Sequence, residues 1–147
     1  MQQNLLIDSP PTAGDFVNNA VFASDYLVVA FQTQQDSLDG AISFIEKDLV
    51  EMIEVFDAET EVVGVLPNQM SQGTIDREVV ADAIEIFGQQ NMFTNILPFV
   101  KKIQSMPRYG ISTEGYWEKK AFGEVYLPFT LEFLERLAIF EGAEIDG

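Results

Sequence analysis

Leu5-Leu6-Ile7-Asp8-Ser9-Pro10-Pro11 is an apolar run that ends in one carboxylate and is then broken by a proline pair. From Asn4 to Asp8 it reads as a strand, too short and too uniformly apolar to have a solvent face. Such a strand delivers its terminal acid to the carboxyl end of an open α/β sheet, where ligands of these folds bind. Two further runs match it. Tyr26-Leu27-Val28-Val29-Ala30-Phe31 is continuous, β-branched and aromatic, as buried parallel strands are. Glu61-Val62-Val63-Gly64-Val65-Leu66 follows the same rule and is expected to stop at Pro67-Asn68.

Between these runs the period changes to that of helices. After the proline pair, Thr12 is placed to cap a helix reaching about Ala23. Ser37 is placed to cap a second, with Leu38, Ile42, Ile45, Leu49, Ile53 and Phe56 on one face and Glu46, Lys47, Asp48, Glu51 and Glu54 on the other. That acidic face has the wrong sign for an anionic membrane surface, so the helix is expected to pack on the sheet. A polar loop, Gln69 to Gly73, leads to a helix from about Thr74 to Phe87, with Thr74 as cap and Gly88 at its C-terminal end. Met92 to Leu97 reads as a fourth strand ended by Pro98. A short helix over Phe99 to Ser105 is expected to halt before Pro107, and Tyr109 to Ser112 reads as loop. A long last helix follows from about Tyr116 to Phe140, with Phe122, Phe129, Phe133, Leu137 and Phe140 inward and Pro128 expected to kink or divide it. Strands alternating with helices make the chain α/β, with a mostly parallel sheet. It forms a single domain over residues 1–141, with 142–147 as a flexible tail.

Composition narrows the chemistry. The 147 residues are one domain's worth of chain, 47% hydrophobic and 22% charged. No apolar run approaches the ~20 residues that span a bilayer, and the N-terminus lacks the pattern of a signal peptide. The default compartment is the cytoplasm. There is no cysteine and no histidine, which removes disulfides, thiolate sites, imidazole general bases, Ser-His triads and the usual zinc sites. The net charge of −16 argues against nucleic-acid binding by the chain as a whole. The charge is uneven, however. Lys101, Lys102, Arg108, Lys119 and Lys120 face only Glu114 and Glu118 within residues 101–120, so that segment is +3 and the remainder −19.

The order of these pieces resembles the second half of ParA-type ATPases. Leu5 to Thr12 is similar to that family's strand-end "Asp-Thr/Ser-x-Pro". Asn19-Ala20-Val21-Phe22-Ala23-Ser24-Asp25 is similar to its "Asn-Ala-Leu-x-Ala-x-Asp", and Tyr26 to Val29 to the strand after it. Val63 to Asn68 matches "Gly-x-Leu-x-Thr/Asn", and Asn95-Ile96-Leu97-Pro98 with Lys102, Pro107 and Gly110 continues the likeness. Gly110-Ile111-Ser112 with Gly115 to Lys120 looks closest to plasmid-segregation ATPases of Gram-positive bacteria. The resemblance covers nearly the whole chain.

What it implies is a plasmid-partition ATPase of partial P-loop-NTPase-like fold, with ATP and magnesium held in a homodimer. The dimer binds nonspecific DNA, associates with the nucleoid and is stimulated by a centromere-binding partition protein. By resemblance Asp8 is the Walker B-like acid on magnesium, Asn68 touches the adenine, and Pro98 opens the loop that lines the base. Lys102 falls in the DNA-contacting region, within the basic set Lys101, Lys102, Arg108, Lys119 and Lys120. The family's N-terminal "Lys-Gly-Gly-x-Gly-Lys-Thr/Ser" loop is not in this sequence. Phe99 and Val100 stand where the family often has Arg, and Ser71 where it commonly has Asp. This chain alone is therefore expected neither to turn over ATP nor to hold a stable metal ion, since magnesium needs phosphate oxygens besides a carboxylate. The alternative is a non-catalytic interaction or oligomerisation module that keeps the fold. Under either reading the Leu5–Asp8 strand lacks a neighbour, and the chain is expected to dimerise or exchange elements to cover it.

Overall fold

The computed structural model describes residues 5–10 and 14–142. In chain order the elements are α1 (Asp15–Phe22), β1 (Tyr26–Gln32), α2 (Gln35–Ser43), α3 (Val50–Glu54), β2 (Glu61–Asn68), α4 (Thr74–Phe87), α5 (Lys101–Tyr109), α6 (Tyr116–Ala121) and α7 (Leu127–Phe140). A π turn, Phe44–Leu49, joins α2 to α3, and another, Phe122–Tyr126, joins α6 to α7. β1 and β2 pair in parallel, so the chain is α/β with a small two-stranded parallel sheet flanked by helices. No helix of the described residues is long and apolar enough to cross a membrane.

The two faces of this sheet bury different helices. On one, Val29, Phe31 and Val65 meet Leu38 and Ala41 of α2 and Val79 and Ala83 of α4. On the other, Val63, Leu66, Phe93 and Leu97 meet Phe129, Phe133 and Leu137 of α7. Val21 of α1 packs with Leu49, Met52 and Ala58 in a third cluster. The register slips once, where Leu27 pairs Val62 but Val28 pairs Gly64. That bulge leaves Val63 unpaired and lets consecutive residues serve the α7 face. Gly64 is required there, because a Cβ would lie 2.9 Å from the Phe93 ring and 3.1 Å from Arg136 Nη1.

β2 runs through Pro67 to Asn68 rather than stopping before them. The Pro67 carbonyl accepts from the Leu97 amide at 3.1 Å, so the residue's backbone polar side faces away from β1. The missing N–H costs the β1–β2 ladder nothing.

Met92 to Leu97, expected as a fourth strand, forms only isolated parallel bridges, Val65 to Met92 and Met70 to Pro98. Phe93 donates to Val65 at 2.9 Å, but the next two amides leave the ladder. Thr94 and Asn95 N–H donate to the Glu132 carboxylate at 2.7 and 2.8 Å, and Asn95 Nδ2 donates to it at 2.7 Å. One turn on, Arg136 pairs with Glu132 at 3.1 Å. Its guanidinium donates to the carbonyls of Val63 and Gln90, both at 3.3 Å, and to that of Met92. It also lies 4.6 Å from the centroid of the Phe93 ring. Both side chains are largely buried, at 13% and 18% exposed. The fourth strand is thus replaced by a segment whose backbone is satisfied from α7.

Leu5 to Asp8 is not a strand. Residues 5–10 lie outside regular structure, with Leu5 85% and Leu6 83% exposed. A strand exists only through its neighbour's hydrogen bonds, and among the described residues nothing pairs with this run or with the outer edge of β1. Asn4, Thr12 and the tail residues 143–147 lie outside the described residues. Helix boundaries also shift. α2 starts at Gln35, and Ser37 Oγ instead accepts from the Gln32 amide at 2.9 Å. α4 has Gly73 as its N-cap, so Thr74 is its first helical residue, not its cap. Gly88 ends α4 as expected, at φ 84°, its amide on the Ile84 carbonyl at 2.9 Å.

α5 runs past Pro107 to Tyr109, because a proline in the last turn breaks only one bond of a helix that is already ending. Residues from Tyr116 to Phe140 stay helical, and the π turn just before Pro128 absorbs the proline. There the Leu127 amide reaches back five residues to the Phe122 carbonyl.

Removing Glu132 would strand two backbone amides and a buried guanidinium, so Glu132→Ala is expected to cost about 3 kcal/mol in urea unfolding at neutral pH. Burial works to raise the Glu132 carboxyl, but the Thr94 and Asn95 amides, the Asn95 side chain and Arg136 together hold it below the ordinary value. A depressed native value contributes stability above the unfolded value of about 4.3 and loses it as pH falls through the native one. The stability gap between wild type and Glu132→Ala is therefore expected to narrow only below about pH 4.3.

Candidate functional site

The carboxyl end of the sheet gathers three segments. β1 ends at Gln32 and Thr33, β2 at Asn68 to Met70, and the bridged segment at Leu97 to Phe99. The Thr33 amide donates to the Asn68 carbonyl at 3.2 Å. Met70 donates to Leu97 at 3.1 Å and accepts from Phe99 at 2.9 Å. Asn68 and Pro98 therefore stand on adjacent rows, joined through Met70. Asn68 is half-buried, its Oδ1 holding the Gln69 amide at 2.7 Å, while Pro98 is exposed. Gln69 has φ 55°, a left-handed backbone unusual for a residue with a side chain.

A carboxylate organises this edge. Asp76, in the first turn of α4, accepts from Ser71 Oγ at 2.6 Å, from the Ser71 amide at 3.1 Å and from Thr33 Oγ1. Thr33 is buried. Asp76 thus ties the 69–73 loop and the end of β1 to the start of α4. The Ser71 hydroxyl, then Thr33, then the Ser71 amide hold its carboxyl below the usual aspartate range. The sequence carried one signal for this residue, an acid in the first turn of a helix, but nothing local showed that it bonds across to Thr33.

Asp8 stands apart. It is exposed, and no hydrogen bond or ion pair reaches it among the described residues. Nor do the described residues contain any group of three or more acids that would hold a metal ion. One exposed carboxylate without converging oxygens does not fit magnesium, which demands octahedral ligation. The described residues do not form a metal site by themselves.

The basic segment maps to α5, α6 and the loop between them. Lys102 Nζ pairs with Glu118 at 2.9 Å, fixing α5 to α6. Glu118 is buried, and Lys102, as hydrogen-bond donor first, holds its carboxyl below the ordinary value. Lys101, Arg108, Lys119 and Lys120 are exposed. Lys120 lies 3.8 Å from Glu124, a surface pair of small energetic weight. The structure therefore separates Lys102, which has a structural partner, from the other four basic residues.

No protein-family model matches the chain. It is similar to an uncharacterized protein of Pseudomonas putida strain KT2440, and to an uncharacterized protein in the gidB 3' region of Pseudomonas putida. Each is 23% identical over 133 residues, covering 90% of this chain and 50% of the relative. The chain spans about half the length of the curated relatives it matches.

Asp76→Ala is expected to release the 69–73 loop, seen as faster amide hydrogen exchange at Ser71 with little change in the core of α4. In the wild type, Ser71 should stay protected down to about pH 3.9 and open only as pH falls through the lowered Asp76 value. Unchanged Ser71 exchange in the variant would show that Asp76 does not hold the loop.

Proposed function

We propose that this chain is the C-terminal half of a ParA-type plasmid-partition ATPase with a P-loop-NTPase-like sheet. In the intact protein it works by ATP-dependent homodimerisation, nonspecific DNA binding and contact with a centromere-binding partition protein. Two observations carry this reading: among the described residues the outer edge of β1 has no partner strand, and the apolar Leu5–Ile7 run is exposed and unpaired. Both are backbones built for a sheet and lacking a neighbour. A strand supplied by further polypeptide would give each a partner. The double length of the Pseudomonas relatives is in keeping with that.

In this reading the edge formed by Asn68 and Pro98 is the base side of a nucleotide site. Ser71, where the resembled family commonly carries an Asp, is hydrogen-bonded to the Asp76 carboxylate. Phosphate and magnesium chemistry belongs to the part that carries the P-loop, with Asp8 contributing only once its strand is formed. Lys101, Arg108, Lys119 and Lys120 offer phosphate contacts that read no sequence, and Lys102 reaches DNA only at the expense of Glu118. Localisation in the cytoplasm, at the nucleoid, follows from the same reading.

A second reading, an interaction module without catalysis, is favoured by the exposed row Leu127, Leu131 and Leu134 on α7. Its spacing is that of a helix-pairing seam. Hydrolysis of radiolabelled ATP separates both readings from a self-sufficient enzyme: the 147-residue chain should show no turnover above buffer, and turnover at a rate typical of intact ATPases would overturn the proposal. In size-exclusion chromatography with light scattering the chain should run as a dimer at micromolar concentration, and a clean monomer would contradict coverage of the open edge by a second copy.

A further inference from the structure

The basic segment carries more than charge. Tyr109 is 77% exposed, Tyr116 71% and Trp117 64%, although large aromatic rings normally contribute to cores. Two of them lie beside cations: the Arg108 guanidinium is 5.7 Å from the Tyr109 ring centroid, and Lys120 Nζ is 5.9 Å from that of Trp117. Tyr116 and Trp117 meet edge to face at 5.1 Å. The Lys102–Glu118 bridge ties together the two helices that bear these pairs.

We infer that this surface binds single-stranded nucleic acid, with bases stacked on Tyr116, Trp117 and Tyr109 and phosphates on Arg108, Lys119 and Lys120. The inference rests on the proposal that residues 101–120 are a nucleic-acid face, and it names the form of nucleic acid. Phosphate contacts alone explain lysines and arginines but leave solvent-facing rings without a task. In a duplex the bases are already stacked on each other, whereas an unpaired base offers its π face to any aromatic ring, a contact worth about 1–3 kcal/mol per base.

Charge selects the partner further. With −19 on the rest of the chain, the molecule as a whole repels a flat anionic bilayer. A single strand needs only a narrow track. An acidic protein would satisfy the cations but has no general use for three exposed rings beside them.

Trp117 is the only tryptophan, so its fluorescence reports on this surface alone. The whole chain is titrated at about 50 mM salt with an oligo(dT) of about 12 nucleotides, with a duplex of equal length, and with vesicles containing anionic phosphatidylglycerol. Binding of the labelled nucleic acids is followed in parallel by anisotropy. Oligo(dT) should quench Trp117 and lose affinity severalfold at about 200 mM salt. Trp117→Leu should weaken oligo(dT) binding about 5- to 100-fold while leaving duplex binding within about twofold, and Trp117→Phe should restore most of the loss.

Duplex bound as tightly as oligo(dT), with no quenching by either, would overturn base stacking and leave the DNA face standing. A blue shift with vesicles but no response to oligo(dT) would assign the patch to a lipid surface instead. No binding of either nucleic acid at the lower salt would remove both this inference and the DNA-binding part of the proposed function.

Discussion

The Glu132–Arg136 pair on α7 holds the far side of the sheet together. Its carboxylate takes the amides of Thr94 and Asn95, and its guanidinium takes the carbonyls of Val63, Gln90 and Met92. An extended segment beside β2 would otherwise expose or bury these groups unpaired, at a cost of about 1–3 kcal/mol for each buried one. With them satisfied, Phe93 and Leu97 enter the core under Phe129 and Phe133, and the chain returns to Met70 at Pro98. The position of the sheet's carboxyl edge, and so of the candidate site, follows from an ion pair one helical turn long.

Much of this was legible in the sequence. The continuous runs of Tyr26 to Phe31 and Glu61 to Leu66 became β1 and β2; β2 is buried on both faces from Val63 to Pro67 and needs no alternation, whereas β1 keeps Ala30 exposed between buried Val29 and Phe31. α4 came out over the expected residues, with Gly88 as its stop. What was not legible depended on partners distant in sequence. The Leu5–Asp8 run has the composition of a strand, but composition does not supply a neighbour. Met92 to Leu97 looked like a strand because its side chains are those of one, while its amides were taken by Glu132 some 37 residues away. Pro107 reads as a stop and Pro128 as a kink or a division of its helix. One sits where its helix is ending anyway, and the other follows a π turn that makes room for it.

The site residues divide in the same way. Asn68 and Pro98 are neighbours in space through Met70, an arrangement that adjacent parallel rows impose on any residues at their ends. Asp76 and Thr33 complete that edge, and nothing in their local sequence announced it. Among the basic residues, Lys102 is engaged with buried Glu118, while the exposed rings between the others give the segment a character that charge alone does not. The net negative charge of the chain and the basic, aromatic segment 101–120 are separate features, and only the second is proposed to meet a polyanion.

In the proposed function the carboxyl edge of this sheet is the base side of a nucleotide site whose phosphate side lies elsewhere. Amide chemical shifts of the isotope-labelled chain, titrated with adenosine and separately with magnesium ATP, test it most directly. Small shifts are expected at Asn68, Gln69, Met70 and Phe99, of equal size and equally weak affinity for the two ligands, because in this reading the phosphates are held by further polypeptide. Shifts confined to other surfaces, or none at millimolar concentrations of either ligand, would contradict it.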